Sequence, residues 1–326
     1  MIEIDRIFQI KNEKEFEKLA LEIFHFQSET VPVYKEFISH LKIVPGRIDT
    51  ISEIPFLPVE LFKSHKIIVK GEKTQIIFDS SGTTGNKPSK HFVADVDLYE
   101  KSFLKGFSCF YGDPSDYCIL ALLPSYLERS RSSLVYMAEK LIKVSRHPLS
   151  GFYLHEKDKL MGVLRELKSS QTPVILIGVS FALADLAECC QEDLSGIIFM
   201  ETGGMKGRRK EMVREELHGL LKASFNITEV HSEYGMTELL SQAYSKGNGI
   251  FNCPPWMRIM IRDIYDPQQI LNAGNTGTLN IIDLANIYSC SFLATSDLGK
   301  LHSNGSFEVF GRMDYSDIRG CNLLVG

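Results

Sequence analysis

The sequence predicts an α/β fold with a largely parallel sheet that continues into a β-rich part. From residue 70 onward, apolar runs of strand length alternate with helical patterns at the spacing of βαβ units. After residue 244 the helical patterns fade, and short strand patterns are separated by Gly, Asn, Asp and Pro. With 326 residues, 44% of them hydrophobic, the chain can bury a sizeable core without disulfides or metals.

The first 70 residues are predicted to be mainly helical. A second short helix is expected over residues 34–41, and prolines at 55 and 58 favour an extended segment at 54–58. A longer helix is predicted over residues 13–26, where an apolar stripe has helical spacing: Phe16, Leu19, Ala20, Ile23 and Phe24.

The remaining elements follow from period and length. Strands are predicted at residues 74–78, 117–123, 173–177, 196–200 and 227–231, and in the β-rich part at 259–262, 277–282, 287–293 and 307–310. Helices are predicted at residues 96–107, 132–142, 157–168, 181–190 and 209–221. We expect a single domain, 1–326, with a helical leader (1–70), an α/β subdomain (71–244) and a β-rich subdomain (245–326).

Charge and composition exclude several classes of function. The net charge of −5 and the absence of a basic tract argue against a nucleic-acid partner. The longest apolar runs have strand length, so no membrane span is expected. The start of the chain lacks the pattern of a signal peptide, and the seven cysteines form no CxxC pair, so a cytoplasmic location is expected.

The segment 78–90, FDSSGTTGNKPSK, has the composition of a phosphate-binding loop. Small residues allow a tight turn, backbone N–H groups and hydroxyls can converge on one anion, and lysines add positive charge. The spacing matches neither the Walker A loop nor the dinucleotide GxGxxG pattern. By composition alone, a polar surface loop with a glycine turn is an equally good interpretation.

The string Ser81-Gly82-Thr83-Thr84-Gly85 resembles the phosphate loop of the adenylate-forming (acyl-AMP-forming) enzymes. Further segments resemble that superfamily's signatures and follow in its order. They are Tyr234-Gly235-Met236-Thr237-Glu238 for aromatic-Gly-x-Thr-Glu, Thr295-Ser296-Asp297-Leu298-Gly299 for the Thr-Gly-Asp segment, and Gly311-Arg312-Met313-Asp314 for Gly-Arg-x-Asp. One such match is weak, but the ordered set is a strong signal.

The resemblance implies ATP and Mg²⁺ as cofactors. An aromatic ring can stack on adenine, a threonine hydroxyl can reach a phosphate, and a carboxylate can hold Mg²⁺. The implied catalytic residues are Thr237, Glu238 and Lys90, with Glu238 also the metal ligand. The implied nucleotide-binding residues are Ser80, Ser81, Gly82, Thr83, Thr84, Gly85, Lys87, Gly203, Gly204, Tyr234, Gly235, Met236, Asp297 and Arg312.

Within the superfamily, the chain resembles the acyl-protein synthetase family, the ligase component of the fatty-acid reductase of bacterial bioluminescence. The leader segments that carry this likeness are YKEF at 34–37, IPFLP at 54–58, LFKS at 61–64 and PSYLER at 124–129. Typical superfamily members have a further C-terminal domain with a catalytic lysine, whereas only residues 313–326 follow Arg312 here. The implied fold is the N-terminal-domain type, two mostly parallel sheets with helices and a smaller β-rich subdomain, lacking the usual C-terminal domain.

This resemblance implies ATP-dependent activation of a fatty acid to acyl-AMP, followed by transfer to a cysteine near the end of the chain. Cys321 is that cysteine, and the neighbouring Arg319 favours its thiolate, although an inert cysteine is an equal alternative. A fatty-acyl reductase or an acyltransferase would be the partner protein that takes the acyl group. A CoA ligase of the phenylacetate type and a non-catalytic nucleotide- or acyl-binding relative remain alternatives. The identity of the acid, the acceptor thiol and the oligomeric state stay open.

Overall fold

The structure is a computed structural model that describes residues 2–81, 87–125, 127–203 and 212–313. A 13-stranded sheet forms its centre, and two further strands form a separate hairpin. The strands are β1 (Leu57–Pro58), β2 (Ile76–Asp79), β3 (Lys90–Val93), β4 (Cys118–Leu122), β5 (Gly151–Phe152), β6 (Val174–Val179), β7 (Ile198–Thr202), β8 (Val230–Tyr234), β9 (Ala243–Ser245), β10 (Phe251–Asn252), β11 (Met257–Arg262), β12 (Ile270–Leu271), β13 (Thr276–Asp283), β14 (Phe292–Leu301) and β15 (Phe307–Arg312).

Of the α-helices in the described residues, the first two pack against Phe292 of β14, and the later ones cover the parallel part of the sheet. These helices are α1 (Glu13–Thr30), α2 (Pro32–His40), α3 (Val96–Tyr111), α4 (Ser133–Ser145), α5 (Lys157–Lys168), α6 (Ser180–Cys189) and α7 (Arg214–Phe225). At the N-termini of three helices, a side chain accepts a hydrogen bond from a backbone N–H group of the first turn. Asn12 caps α1, Asp95 caps α3 and Ser132 caps α4. Among the described residues, no helix combines the length and apolar character needed to cross a bilayer.

The strand order is β12-β11-β13-β14-β15-β10-β9-β8-β7-β6-β4-β5, with β1 beside β14. Strands β4 to β8 pair in parallel, whereas β8 pairs antiparallel with β9. The two mostly parallel sheets that we expected are therefore joined in one hydrogen-bonded path, and the parallel part of it is β5-β4-β6-β7-β8. The carboxyl ends of these strands lie at one edge, where α/β proteins bind ligands.

Strand β4 shows how the core is divided between two layers. Ile119 and Ala121 join the core under α1 to α4, whereas Leu120 and Leu122 join the core under α5 to α7. Successive side chains of a strand point to opposite faces, so the parallel sheet is covered on both faces. The α/β class predicted from the sequence is confirmed.

Several predicted strands are displaced. β7 and β8 extend two and three residues further than predicted, into Glu201-Thr202 and Ser232-Glu233-Tyr234. These extensions contain buried polar side chains, which sequence reasoning takes for loop residues. The strand predicted at 287–293 is wrong at residues 287–291, where a loop follows the 3₁₀ turn Leu284–Asn286 and β14 starts only at Phe292.

Strand β3 was not predicted at all. Its residues Lys90–Val93 pair antiparallel with β2, so the candidate phosphate loop joins two strands of a hairpin. The loop follows a strand and precedes a helix, as the sequence pattern indicates, but β3 lies between the loop and helix α3, which begins at Val96.

Candidate functional site

The β2–β3 hairpin holds the two ends of the candidate phosphate loop. Asp79 pairs with Lys90 in the strand register, and Ser80 N–H donates to the Ser89 carbonyl at 3.0 Å. Ser89 N–H returns a bond to Ser80 Oγ, also at 3.0 Å. Ser81 and Lys87 are exposed at the two ends of the loop. The predicted phosphate ligands Gly82, Thr83, Thr84 and Gly85 lie outside the described residues.

The connection from β8 to β9 carries the second predicted motif and lies against this hairpin. Ser89 Oγ donates to Glu238 Oε1 at 2.5 Å, and both residues are buried. His91 Nδ1 lies 2.8 Å from the Thr237 carbonyl oxygen. The structure therefore brings the hairpin and the Thr237–Glu238 pair together, although they are far apart in the sequence.

Asp297 is the centre of a second polar group. Strands β14 and β15 pair Asp297 with Arg312, whose Nε lies 3.3 Å from Asp297 Oδ1. Tyr234 Oη donates to Asp297 Oδ2 at 2.8 Å. Burial, together with the negative charge of Asp297, raises the pKa of the Tyr234 hydroxyl, so it stays protonated and donates.

Arg312 connects the two groups electrostatically. Partial burial would lower the pKa of its guanidinium, but the nearby carboxylates of Asp297 and Glu238 outweigh that effect and raise it. The guanidinium of Arg312 therefore interacts electrostatically with both predicted carboxylates, Asp297 and Glu238.

The remaining predicted residues are placed as follows. Met236 Sδ lies 3.7 Å from Tyr234 Oη, and Gly235 is exposed between them in sequence. The carbonyl oxygen of Gly203 accepts from Ser180 Oγ at 2.7 Å, whereas Gly204 and Cys321 lie outside the described residues. Lys90 neighbours His91 on β3, so alternation directs its side chain to the hairpin face opposite the Thr237–Glu238 segment.

A buried acid that sequence reasoning missed, Glu201, lies at the carboxyl end of β7. Its oxygens accept from Ser180 Oγ at 3.0 Å, Ser232 Oγ at 2.9 Å and Arg214 Nε at 3.0 Å. Burial acts to raise the pKa of this carboxyl, but His218, Arg214 and Ser232 outweigh it and lower the pKa to about 2. Glu201 is therefore a fixed negative charge beside Gly203.

Glu233, on the neighbouring strand β8, is also buried, but its pKa is raised rather than lowered. Its carboxylate accepts from Thr202 Oγ1, and the residue is 8% exposed. Burial raises its pKa to about 7; the bond from Thr202 opposes that rise and the charge of Glu201 adds to it. A sequence signal existed, because Glu233 directly precedes the aromatic residue of the predicted motif.

Comparisons with known proteins bear on the fold. No protein-family profile matches the sequence, and no curated protein matches it. Solved structures do match: ATP-bound MatB from Rhodopseudomonas palustris has a TM-score of 0.55 at 17% identity, covering 75% of this chain and 49% of that chain. A 2-hydroxyisobutyryl-CoA ligase in the postadenylation state, in complex with R3-HIB-AMP, has a TM-score of 0.66 at 14% identity, covering 92% and 68%.

The same 2-hydroxyisobutyryl-CoA ligase, in an open conformation with 2-HIB-AMP and CoA, matches with a TM-score of 0.65 at 11% identity, covering 93% of this chain and 70% of that one. The fold is that of adenylate-forming ligases. The chain spans about half of the length of MatB. At these identities the match establishes the fold, and the predicted N-terminal-domain type of fold is confirmed.

Within this ligase fold, the donor set around Glu238 suits a hard cation. Its carboxylate is buried beside the Ser89 hydroxyl and interacts with the charge of Arg312, and carboxylate oxygen is the kind of ligand that Mg²⁺ prefers. In the part of the chain that the structure describes, no group of three or more His, Cys, Asp and Glu side chains could hold a metal ion. A cation at this site would be held by one carboxylate of the protein and by substrate oxygens.

Proposed function

We propose that this protein activates a carboxylic acid with ATP and transfers the acyl group to a thiol. The observation that carries the proposal is the pairing of two polar groups in a ligase fold. Tyr234 and Arg312 bond to Asp297, while the β2–β3 hairpin bonds to Glu238 through the hydroxyl of Ser89. Solved proteins with this fold contain ATP or an acyl-AMP together with CoA, which supports the same chemistry here.

Asp297 is proposed to hold the ribose of the nucleotide. Each carboxylate oxygen can accept more than one hydrogen bond, so the bonds from Tyr234 and Arg312 leave capacity for ribose hydroxyls. Those two donors also hold the carboxylate in one orientation. Tyr234, Gly235 and Met236 would lie against the adenine ring, with the backbone of Gly203 at its edge.

The triphosphate is proposed to lie along the hairpin. Loop residues 80–87 would donate backbone N–H groups and hydroxyls, and Thr237 would add another hydroxyl. Bound Mg²⁺ would neutralise phosphate charge, with Glu238 as its protein ligand. Catalysis would then consist of positioning and charge stabilisation by these residues. The catalytic role of Lys90 stays a prediction.

The first step joins the acid to AMP. A carboxylate oxygen of the acid attacks the α-phosphorus of ATP, and the bond from that phosphorus to the bridging oxygen of pyrophosphate breaks. The products are acyl-AMP and pyrophosphate. In the second step a thiolate attacks the acyl carbon, AMP leaves, and a thioester forms.

Most of the described cysteines are poor candidates for that thiolate. Burial raises the pKa of most of them, to about 12 for Cys290, which leaves little thiolate at neutral pH. The others with a raised pKa are Cys109, Cys118, Cys190 and Cys253. Cys321 is the proposed internal acceptor because of the resemblance to acyl-protein synthetases, which also suggests a long-chain fatty acid and a partner reductase or acyltransferase.

A CoA ligase is the second candidate. The observation that favours it is the fold match to a ligase solved with an acyl-AMP and CoA. In that case an external thiol would take the acyl group and Cys321 would be dispensable.

One experiment separates these candidates. Pyrophosphate release from MgATP is measured with a panel of carboxylic acids, with and without CoA, and the intact mass of the protein is recorded afterwards. Acid-dependent release with one hydroxylamine-labile adduct, lost in Cys321→Ser and kept in Cys109→Ser, would support the acyl-protein synthetase. Release that yields acyl-CoA and no adduct would support the CoA ligase. ATP binding without release from any acid would refute both and leave a nucleotide-binding protein.

A further inference from the structure

Glu238 lies in a connection that has little regular structure of its own. Residues 235–242 join β8 to β9, with one turn at 237–238. A carboxylate on such a segment has a defined position only when contacts from outside the segment hold it. The structure supplies these contacts from two sides.

The hairpin supplies the first side and acts on the carboxylate itself. The Ser89 hydroxyl donates to Glu238 Oε1 at 2.5 Å, and the two residues are 3% and 6% exposed. Ser89 is itself fixed, because its N–H bonds to Ser80 Oγ. The bond restricts rotation of the Glu238 side chain.

The turn at residues 283–286 supplies the second side and acts on the backbone. Asn286 Nδ2 donates to the Glu238 carbonyl at 2.7 Å. Asp283 Oδ2 accepts from the N–H groups of Leu240 and Ser241 at 2.8 and 3.0 Å. Backbone movement at Glu238 would break these buried bonds, which makes it costly.

His91 lies between the two sides. Its Nδ1 lies 2.8 Å from the Thr237 carbonyl oxygen, and its Nε2 lies 3.1 Å from Asn286 Oδ1. A neutral imidazole carries one N–H, so it donates to one of these two oxygens at a time. The ring is fully buried and packs edge-on against Phe62. The hairpin and the turn are both bonded to the segment between them, through Ser89 and through Asn286.

We infer that Ser89, His91 and Asn286 are positioning residues that hold Glu238 in place for the cation that accompanies the nucleotide. The inference rests on the proposed function, since it assigns these residues to that same site. Ligating carboxylates are generally oriented by such hydrogen-bond donors, and loss of one typically costs 10–100-fold in metal affinity or activity. Ser89 acts on the side chain, whereas His91 and Asn286 act on the backbone.

The test measures binding rather than turnover. A fluorescent, non-hydrolysable ATP analogue is titrated with Mg²⁺ and, separately, in EDTA. Ser89→Ala is expected to raise the Mg²⁺ concentration for half-saturation about tenfold and to change analogue binding in EDTA by less than about twofold. Ser89→Thr keeps the hydroxyl and should restore the wild-type value. The exposed Ser303→Ala is the matched control.

Asn286→Asp tests the backbone contacts, because a carboxylate cannot donate to the Glu238 carbonyl. It should also raise the Mg²⁺ requirement, and its thermal unfolding shows whether the variant folds. An unchanged Mg²⁺ requirement in Ser89→Ala, with wild-type binding intact, would overturn the positioning role and leave the proposed function standing. A wild-type protein that binds the analogue neither with Mg²⁺ nor in EDTA would refute the proposed function and this inference together.

Discussion

Glu233 is a buried acid whose ionisation is expected to destabilise the folded protein at neutral pH. Burial raises its pKa to about 7, against 4.5 for an ordinary glutamate. The change that tests this is Glu233→Gln. Glutamine keeps an oxygen that can accept from Thr202 Oγ1, and it removes the titrating proton.

The magnitude follows from the two pKa values of Glu233. Between pH 4.5 and pH 7 the unfolded chain releases a proton that the folded protein retains, so the folded state binds more protons. The stabilisation is complete below about pH 4.5 and is lost as the pH rises through about 7. At 1.36 kcal/mol per pH unit, this loss amounts to about 3 kcal/mol. Glu233→Gln should therefore gain about 2 to 3 kcal/mol over wild type between pH 5 and pH 8.

Urea unfolding at several values between pH 5 and pH 8 measures the difference in free energy between variant and wild type. Taking the difference cancels the contributions of titrating groups that do not interact with Glu233. Glu201, whose pKa is about 2, stays ionised throughout this pH range. Glu166→Gln, on the exposed surface of α5, is the matched control and should give a difference that does not change with pH. The reasoning is refuted if the difference for Glu233→Gln is equally flat.

Two further predictions concern packing and buried charge. In Gly178→Ala the new Cβ would lie 2.9 Å from Leu122 Cβ, so overpacking should cost about 1–3 kcal/mol, and an unchanged urea midpoint would contradict this. Arg214→Met leaves the buried Glu201 carboxylate without its cation and should cost about 3 kcal/mol at pH 7. The exposed Arg165→Met should cost less than about 1 kcal/mol, and equal losses in the two variants would count against a special role for the buried pair.

The helices and strands were predicted best where the apolar residues are buried and the polar residues are exposed. Helix α5 has the predicted bounds, Lys157–Lys168, because its apolar residues follow helical spacing and its other face is polar. Strand β4 was predicted to within one residue at each end, because every residue in it is apolar and buried. In both elements a local pattern carries the whole signal.

Predictions failed where polar side chains are buried. Glu201 ends the apolar run of β7, and Glu233 follows His231 and Ser232 in β8, yet both carboxylates lie inside the sheet. Burying a carboxylate is favourable only when partners satisfy it, and here the partners come from other elements. Ser180 on α6 and Arg214 on α7 donate hydrogen bonds to Glu201, and Thr202 on β7 donates one to Glu233.

In the candidate site, too, the local sequence predicted one part and only the tertiary contacts show the other. The order of the motifs in the sequence pointed to an adenylate-forming fold, and the fold match confirms that fold. The roles of the individual site residues stay predictions. Only the tertiary structure shows that Tyr234 and Arg312 meet at Asp297, since those contacts join strands that are distant in the chain.

The sequence by itself determined the alternation of strands and helices and the residue types at each motif, because periodicity and residue chemistry are local properties. The tertiary structure decided which residues hold those motifs in place. Ser89 and Glu238 are 149 positions apart, and His91 and Asn286 are 195 positions apart. No local pattern specifies such pairs. They form because the packed hairpin and the 283–286 turn exclude water, and each buried polar group then requires a partner.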